Sequence, residues 1–132
     1  VPRPGVGELS VEATIQYAVD VLKVSQIIVC GHSHCGAVTG LLNLDSLESM
    51  PAIRDWVKRS EALLERFRDG ELSLADAIRG NVLLQLDHLR EYECVQRATA
   101  AGDLQLLGWV YHFESGEVDF LNETSLAGFN IA

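Results

Sequence analysis

The chain contains few cysteines, few prolines and few basic residues. Its 132 residues include three cysteines, three prolines and ten lysines and arginines, against nineteen aspartates and glutamates. An odd number of cysteines without a disulfide-like spacing predicts a reducing compartment rather than a disulfide-bonded secreted domain. The net charge of −9 argues against a nucleic-acid partner, because phosphates would be repelled.

Long apolar runs are also lacking. No stretch approaches the roughly eighteen residues of a membrane-spanning helix, so the sequence gives no support for a membrane partner. Hydrophobic residues nevertheless make up 48% of the chain and charged residues 22%, which is typical of a globular protein. We therefore expect a single domain over residues 1–132, located in the cytoplasm.

The segment from Val24 to Gly36 carries the strongest functional signal. It begins with an apolar run that ends at Cys30, and such a run between two helical patterns is typical of a parallel strand buried on both faces. Ligands of these sheets gather at the carboxyl ends of the strands, where His32 and Cys35 follow. Imidazole and thiolate both suit Zn²⁺, so the pair predicts two of the three or more protein ligands that zinc requires.

Nearby side chains leave alternatives open for a further ligand. Cys30 lies two residues before His32, but a small apolar packing residue of a buried strand is the preferred interpretation. His34 gives a His-x-His spacing, although a solvent-facing loop histidine is preferred. Cys94 lies in a helical stretch far along the chain and is interpreted as an ordinary thiol.

Helix and strand signals alternate along the chain. Ser10 is a candidate N-cap for a helix whose apolar residues recur at helical spacing up to Leu22. Pro51 is placed to begin a helix that Gly70 ends. The helix–strand–helix order over residues 10–42 predicts an α/β sheet, because a parallel pair of strands requires a crossover connection.

The second half of the chain predicts a long helix followed by two strands. Ser73 and Asp76 resemble a capping box that begins a helix reaching about Ala101, where Gly102 ends it. Gly80 is a candidate break within that helix. The predicted strands cover residues 104–113 and 118–121.

The segment around the candidate ligands resembles a known family. Residues 10–42, with Ile27-Ile28-Val29-Cys30-Gly31-His32-Ser33-His34-Cys35-Gly36-Ala37, strongly resemble the β-class carbonic anhydrases, in their bacterial and cyanobacterial branch. Later segments agree in the same order: Met50-Pro51-Ala52-Ile53, Asn81-Val82-Leu83-Leu84-Gln85-Leu86, Leu107-Gly108-Trp109-Val110-Tyr111 and Glu114-Ser115-Gly116. The resemblance implies an α/β fold with a mixed, mainly parallel β-sheet flanked by helices.

One motif of that family has no counterpart here. The family holds zinc through the His and Cys of His-x-x-Cys, which match His32 and Cys35, and through the Cys of an earlier Cys-x-Asp-x-Arg motif. The Asp and Arg of that motif are absent, so no catalytic residue is identified. Residues 1–5 resemble the segment after the family's second strand, so we expect the N-terminal strands to be missing. The strand ending at Cys30 would then have an unpaired edge, which predicts poor stability for this chain alone.

The implied function is zinc-dependent, reversible hydration of CO₂ to bicarbonate, the carbonate dehydratase reaction. The family's members are dimers or multiples of dimers, which implies a homodimer or a larger homo-oligomer, and a carboxysomal location is an alternative to the free cytoplasm. Two other functions stay open. One is a non-catalytic structural or interaction module, and the other is a hydrolase of carbonyl sulfide or carbon disulfide.

Several residues near the loop have two interpretations. Gly31 and Gly36 either let the loop bend around a metal or form a strand-to-helix turn, and Gly36 is also a candidate substrate-binding residue. Tyr111 matches a tyrosine of a secondary bicarbonate site in some members of the family, which makes it a second candidate for substrate binding. A sheet-core aromatic is the preferred interpretation of Tyr111.

The remaining aromatic and histidine side chains are assigned structural roles. Trp56 and Phe67 are interpreted as core or subunit-interface residues. His88 and His112 have no evident partner in the sequence and are interpreted as surface or hydrogen-bonded histidines.

Overall fold

The computed structural model of the protein describes residues 1–65 and 73–121. In chain order, their helices and strands are α1 Leu9–Gln16, β1 Gln26–His32, α2 Gly36–Leu42, α3 Pro51–Lys58, α4 Ala62–Glu65, α5 Leu74–Arg90, α6 Glu93–Ala100, β2 Gln105–Tyr111 and β3 Val118–Leu121. A π-helical turn, Tyr17–Val21, continues α1, and a 3-10 turn, Leu44–Leu47, precedes α3. Among these described helices, none is both long enough and apolar enough to cross a membrane.

The strands form one mixed sheet with β2 in the middle. β1 pairs with β2 in parallel, from Gln26 opposite Gln105 to His32 opposite Tyr111, and β2 pairs with β3 antiparallel. The predicted α/β class with a mixed sheet is therefore confirmed. Within the described part of the chain, the outer edge of β1 has no partner strand, as the resemblance led us to expect.

The helices cover one face of the sheet. The strand residues that pack against the hydrophobic cores beneath the helices are Ile27, Val29, Leu106, Val110 and Leu121. They alternate with residues of the opposite face, where Ile28 is 41% and Phe120 is 71% exposed. The prediction that β1 is buried on both faces is therefore wrong for the described residues, because helices pack against one side of it.

The helix α5 packs against the sheet at two strand residues that are glycine. A Cβ at Gly31 would lie 2.7 Å from Val82 Cγ2 and 3.2 Å from Ile78 Cγ2. A Cβ at Gly108, on β2, would lie 3.1 Å from both Val82 Cγ1 and Leu86 Cδ1. Gly31 therefore lies within the strand and serves helix packing, which corrects its interpretation as a residue of the metal loop or of a turn.

Most predicted boundary signals are confirmed. Pro51 is the first residue of α3. Ser73 is the N-cap of α5, and its hydroxyl accepts a hydrogen bond from the backbone N–H of Asp76 at 3.1 Å. Gly102 follows α6 with a φ of +79°, a conformation that favours glycine after a helix. The predicted apolar side of α5 is buried: Leu83, Leu86 and Leu89.

Two helix predictions are wrong in detail. Glu8, rather than Ser10, is the N-cap of α1, and no side-chain hydrogen bond caps that helix. The helix that begins at Pro51 ends at Lys58, and a turn separates it from α4. Gly70, the predicted end of a longer helix, lies outside the described residues.

The long helix and the first strand also end elsewhere than predicted. α5 runs through Gly80, which is buried, and the break comes at Tyr92. Tertiary packing overrides the low helix propensity of glycine here. Tyr92 is buried in a second hydrophobic core, which it forms with Val19, Cys94, Val95 and Leu104. Its hydroxyl donates to the carbonyl of Pro2 at 2.8 Å, which favours a break at that residue. β1 continues past Cys30 to His32.

Trp56 is not a core residue, and the alternative of a subunit-interface residue stays a prediction. Its side chain is 61% exposed on α3, with the guanidinium of Arg59 4.8 Å from the ring centroid. Phe67 lies outside the described residues.

Candidate metal centre

The two candidate ligands lie in one loop at the carboxyl end of β1. β1 ends at His32, and Cys35 is the N-cap residue of α2. The carbonyl of Cys35 accepts hydrogen bonds from the backbone N–H of Thr39 at 2.9 Å and from its hydroxyl at 3.0 Å, which hold Cys35 at the start of the helix. Both residues thus reach the edge of the sheet where ligands of parallel sheets bind.

The ring of His32 has a defined hydrogen-bonding state. Its Nδ1 lies 2.9 Å from the carbonyl oxygen of Ser33, and a carbonyl can only accept, so Nδ1 carries the proton. In the neutral ring with this tautomer, Nε2 carries the lone pair that can bind a metal. The ring also packs against Phe113, with 5.2 Å between the ring centroids.

Cys35 is a half-buried free thiol. Its side chain packs against the main hydrophobic core, and the residue lines a cavity of about 660 Å³ between α2, α3, α5 and the N-terminal segment. Val38 and Val57 give this cavity apolar walls, while Gln85 and His88 supply polar groups from α5. The thiol therefore lies between the core and a space open to small molecules.

The pair does not complete a metal site by itself. Within residues 1–65 and 73–121, no group of three or more His, Cys, Asp or Glu side chains is placed to hold a metal ion. The donor types of His32 and Cys35 fit zinc, which accepts neutral imidazole and thiolate together. A complete zinc site therefore requires at least one more protein ligand from outside the described residues.

The two candidate substrate-binding residues lie beside this loop. Gly36 is the first residue of α2, and a Cβ built there has no atom within 4 Å among its described surroundings. Tyr111 pairs with His32 across β1 and β2. It is 36% exposed on the uncovered face, where its ring meets that of Phe113 edge-on at 5.4 Å, so its interpretation as a sheet-core aromatic is wrong.

Three further residues that the sequence analysis interprets lie away from the loop. Cys30 is exposed on the uncovered face of the sheet, so its interpretation as a buried packing residue is wrong. Cys94 is 7% exposed in the second core, where burial raises the pKa of its thiol, and it is a packing residue of α6. His88 is buried, and its Nδ1 lies 2.7 Å from the carbonyl of Val1, so it is a hydrogen-bonded histidine as interpreted.

The loop between the candidate ligands is tied to the turn after β2. The hydroxyl of Ser33 donates to Glu114 Oε2 at 2.9 Å, and Nε2 of His34 contacts the other oxygen of the same carboxylate. The side chain of His34 is 72% exposed, as predicted for a loop histidine. The carboxylate accepts from its own backbone N–H, then from Ser33 and His34, which together hold the pKa of Glu114 below its ordinary value.

A second network joins α5 to β3. The carboxylate of Asp119 accepts a hydrogen bond from His112 Nε2 at 3.0 Å and one from Arg79 Nη2 at 3.1 Å. These bonds, His112 first, hold the pKa of Asp119 below its ordinary value. His112 therefore has a partner that its position in the sequence did not reveal.

Both networks were missed from the sequence because their members are far apart in the chain. A usable signal existed, since residues that follow two parallel neighbouring strands meet at one edge of the sheet. Ser33 follows β1 and Glu114 follows β2, so their contact follows once the pairing of those strands is assumed.

Fold and site together define a class of α/β protein, one whose parallel edge strand ends in a His-x-x-Cys loop suited to zinc. Residues 1–118 match the family model described as carbonic anhydrase. The chain therefore belongs to the carbonic anhydrase family, and its structural similarity is to the β class.

Individual relatives agree with this assignment. The carbonic anhydrase of Synechocystis sp. is 42% identical over a match that covers 89% of this chain and 46% of that protein. The carbonic anhydrase of Pseudomonas aeruginosa is 41% identical, over 94% of this chain and 57% of that protein. The solved structure of the β-carbonic anhydrase CcaA matches with a TM-score of 0.84 at 38% identity, over 98% of this chain and 66% of that one. The chain thus spans about half the length of these curated relatives.

Proposed function

We propose that the protein is a zinc-dependent carbonic anhydrase that catalyses the reversible hydration of CO₂ to bicarbonate. The observation that carries the proposal is the loop at the carboxyl end of β1, which holds an imidazole and a thiol in a chain of the carbonic anhydrase family. When bound, zinc supplies the acidification of water that makes hydroxide available near neutral pH as the nucleophile for CO₂.

The residues of the chain have distinct roles in this proposal. His32 offers Nε2 as a ligand, because its Nδ1 proton is engaged by the carbonyl of Ser33. Cys35 offers a thiolate from the start of α2. Gly36 leaves open space beside Cys35 for a small substrate, and Tyr111, opposite His32 in the sheet, is proposed to contact bicarbonate. The alternatives of a non-catalytic module and of a carbonyl sulfide or carbon disulfide hydrolase gain no support from the relatives, which are named carbonic anhydrases.

We also propose that residues 1–132 belong to one domain of a cytoplasmic homo-oligomer, with a carboxysomal location as an alternative. Free thiols at Cys30, Cys35 and Cys94 fit a reducing compartment. The apolar, uncovered face of the sheet fits a subunit contact, because such faces are normally buried against another element or subunit.

Zinc content tests the proposed function most directly. We expect the complete gene product to bind one zinc per chain. His32→Ala and Cys35→Ser should each lose most of that zinc, and the rate of CO₂ hydration should fall at least about 100-fold. This size is expected because the direct ligands of a metal matter at least as much as the residues that support them. Metal analysis and stopped-flow hydration assays measure both effects.

Cys30→Ser is the matched control for the thiol. It removes a cysteine five residues away that is exposed on the sheet, and both zinc content and activity should match those of the parent. A parent protein without zinc, or ligand variants that keep it, would contradict the site assignment.

A further inference from the structure

The segment between the two candidate ligands is fixed by contacts that come from elsewhere in the fold. Ser33 donates its backbone N–H to the carbonyl of Tyr111 at 2.9 Å, and its hydroxyl accepts from the backbone N–H of Phe113 at 3.0 Å. The same hydroxyl donates to Glu114 at 2.9 Å. Ser33 is therefore held by three residues, Tyr111, Phe113 and Glu114, at the end of β2 and in the turn after it.

His34 shows that this segment is held in an uncommon conformation. Its φ of +55° lies in the left-handed region, which non-glycine residues seldom adopt and which costs energy unless the surroundings fix it. The contact between His34 Nε2 and a carboxylate oxygen of Glu114 helps to fix it. This turn redirects the chain between His32 and Cys35 and so determines how the two ligands face each other.

We propose that Glu114 is a positioning residue for the metal loop: its two carboxylate oxygens hold Ser33 and His34, and through them the relative placement of His32 and Cys35. The inference rests on the proposed zinc function and adds to it a residue that no ligand motif contains. Supporting residues of this kind orient the ligands of a metal site, and their loss costs about 10–100-fold in metal affinity.

A different prediction follows if these contacts form only a surface pair without a role in metal binding. The side chains of His34 and Glu114 are 72% and 53% exposed, and exposed ion pairs contribute little to stability. If Glu114 formed only such a pair, its removal would leave zinc affinity unchanged. Zinc affinity therefore separates the two roles, whereas a stability measurement alone does not.

The test compares zinc binding in variants of the complete gene product. We expect Glu114→Ala to raise the zinc dissociation constant at least about tenfold, measured by competition with a chromophoric chelator. Glu114→Gln keeps an oxygen that can accept from Ser33 and should recover most of the affinity. Ser33→Ala, which removes the hydroxyl without changing charge, should weaken zinc binding in the same direction. The ligand-field spectrum of the cobalt-substituted protein should change in Glu114→Ala, because the ligand geometry changes.

Glu117→Ala is the matched control. Glu117 lies three residues along the same turn, and its side chain has no hydrogen bond or ion pair within the part of the chain that the structure describes. The zinc affinity of the Glu117→Ala protein should equal that of the parent.

The possible outcomes separate this inference from the proposed function. If the parent binds zinc and Glu114→Ala and Ser33→Ala bind it equally well, the positioning role is overturned while the zinc function stands. If Glu114→Ala fails to fold, unchanged affinity in Ser33→Ala overturns the role by itself. If the parent binds no zinc at all, both the proposed function and this inference fail.

Discussion

At the scale of single residues, Gly31 links the hydrophobic core to the candidate metal centre. It immediately precedes His32 in β1, and it lies beneath Val82 of α5. Because no Cβ is present, α5 can pack against the strand without displacing its end. A side chain at this position would therefore disturb both helix packing and the placement of the first candidate ligand.

Gly31→Ala should destabilise the protein by about 1–3 kcal/mol, the usual cost of overpacking a core. The new Cβ would lie 2.7 Å from Val82 Cγ2 and 3.2 Å from Ile78 Cγ2, so these side chains, α5 or β1 must shift. The free energy of unfolding, measured by urea titration at constant pH, checks this expectation.

Gly36→Ala is the corresponding control. A Cβ at Gly36 has no atom within 4 Å in the described surroundings, and the residue is at the first position of α2. Replacing glycine by alanine in a helix should change stability by no more than about 1 kcal/mol, in the stabilising direction. Equal destabilisation by both substitutions would show that the space beneath α5 is not the cause.

Residues of the site were predictable from the sequence to the extent that they are neighbours in the chain. His32 and Cys35 are close in sequence and follow an apolar strand, so the sequence alone indicates both as candidate metal ligands. Glu114 was not, because its contact with Ser33 joins residues 81 positions apart. The exposure of Cys30 could not be predicted, because it depends on which face of the sheet the helices cover, and no local pattern encodes that.

At the scale of helices and strands, the helix-start signals were correct at Ser73 and Pro51 and wrong at Ser10. Ser73 accepts a hydrogen bond from a free backbone N–H at the start of α5, and Pro51 lacks the N–H that would be left free at the start of α3. Both residues act as predicted. Gly80 depends on tertiary packing instead, and burial keeps it helical. Local chemistry thus predicts where helices begin better than it predicts where they break.

The network of Asp119 connects β3 to α5 and should make their association depend on pH. A carboxyl group whose pKa is lowered by folding contributes stability above its unfolded-state pKa, about 3.9 for aspartate, and loses it as the pH falls through the folded-state value. Relative to the parent, Asp119→Asn should be destabilised by up to about 1 kcal/mol near neutral pH, the range for exposed pairs. The difference should begin to shrink as the pH falls below about 4 and should disappear once the pH is below the lowered folded-state pKa.

Urea titrations of the metal-free protein across this pH range check the expectation without interference from zinc loss. Asp103→Asn serves as the control, because Asp103 is exposed and has no ion pair within the described residues. A difference between parent and Asp119→Asn that stays constant down to pH 2 would contradict the role of the carboxylate charge.

At the scale of the whole molecule, the sheet has one face covered by helices and one face without them. Along β1 and β3, the uncovered face presents Ile28 and Phe120, with Trp109 between them meeting Phe120 edge-on at 5.5 Å. The edge of β1 beside this face is also unpaired within the described part of the chain. The expectation of poor stability for this chain alone follows from the same features and stays a prediction.

Ile28→Lys should weaken self-association of the complete gene product. A charged side chain at the centre of an apolar contact must be desolvated, so we expect at least a tenfold rise in the subunit dissociation constant, about 1.4 kcal/mol. Light scattering after size-exclusion chromatography, over a range of concentrations, measures the change in mass.

Ala101→Lys adds the same charge at the exposed end of α6 and should leave the mass unchanged. An Ile28→Lys protein that keeps its mass but loses stability would show that another part of the same polypeptide covers this face.

The tie between Ser33 and Glu114 also has a consequence for the order of maturation. Contacts between residues 81 positions apart form late, because a long segment must lose its freedom before the contact stabilises anything. The turns of α5 and α6 are local and form within about a microsecond. In a nascent chain that stalls before β1 pairs with β2, the imidazole of His32 and the thiol of Cys35 therefore lack the arrangement that metal binding requires.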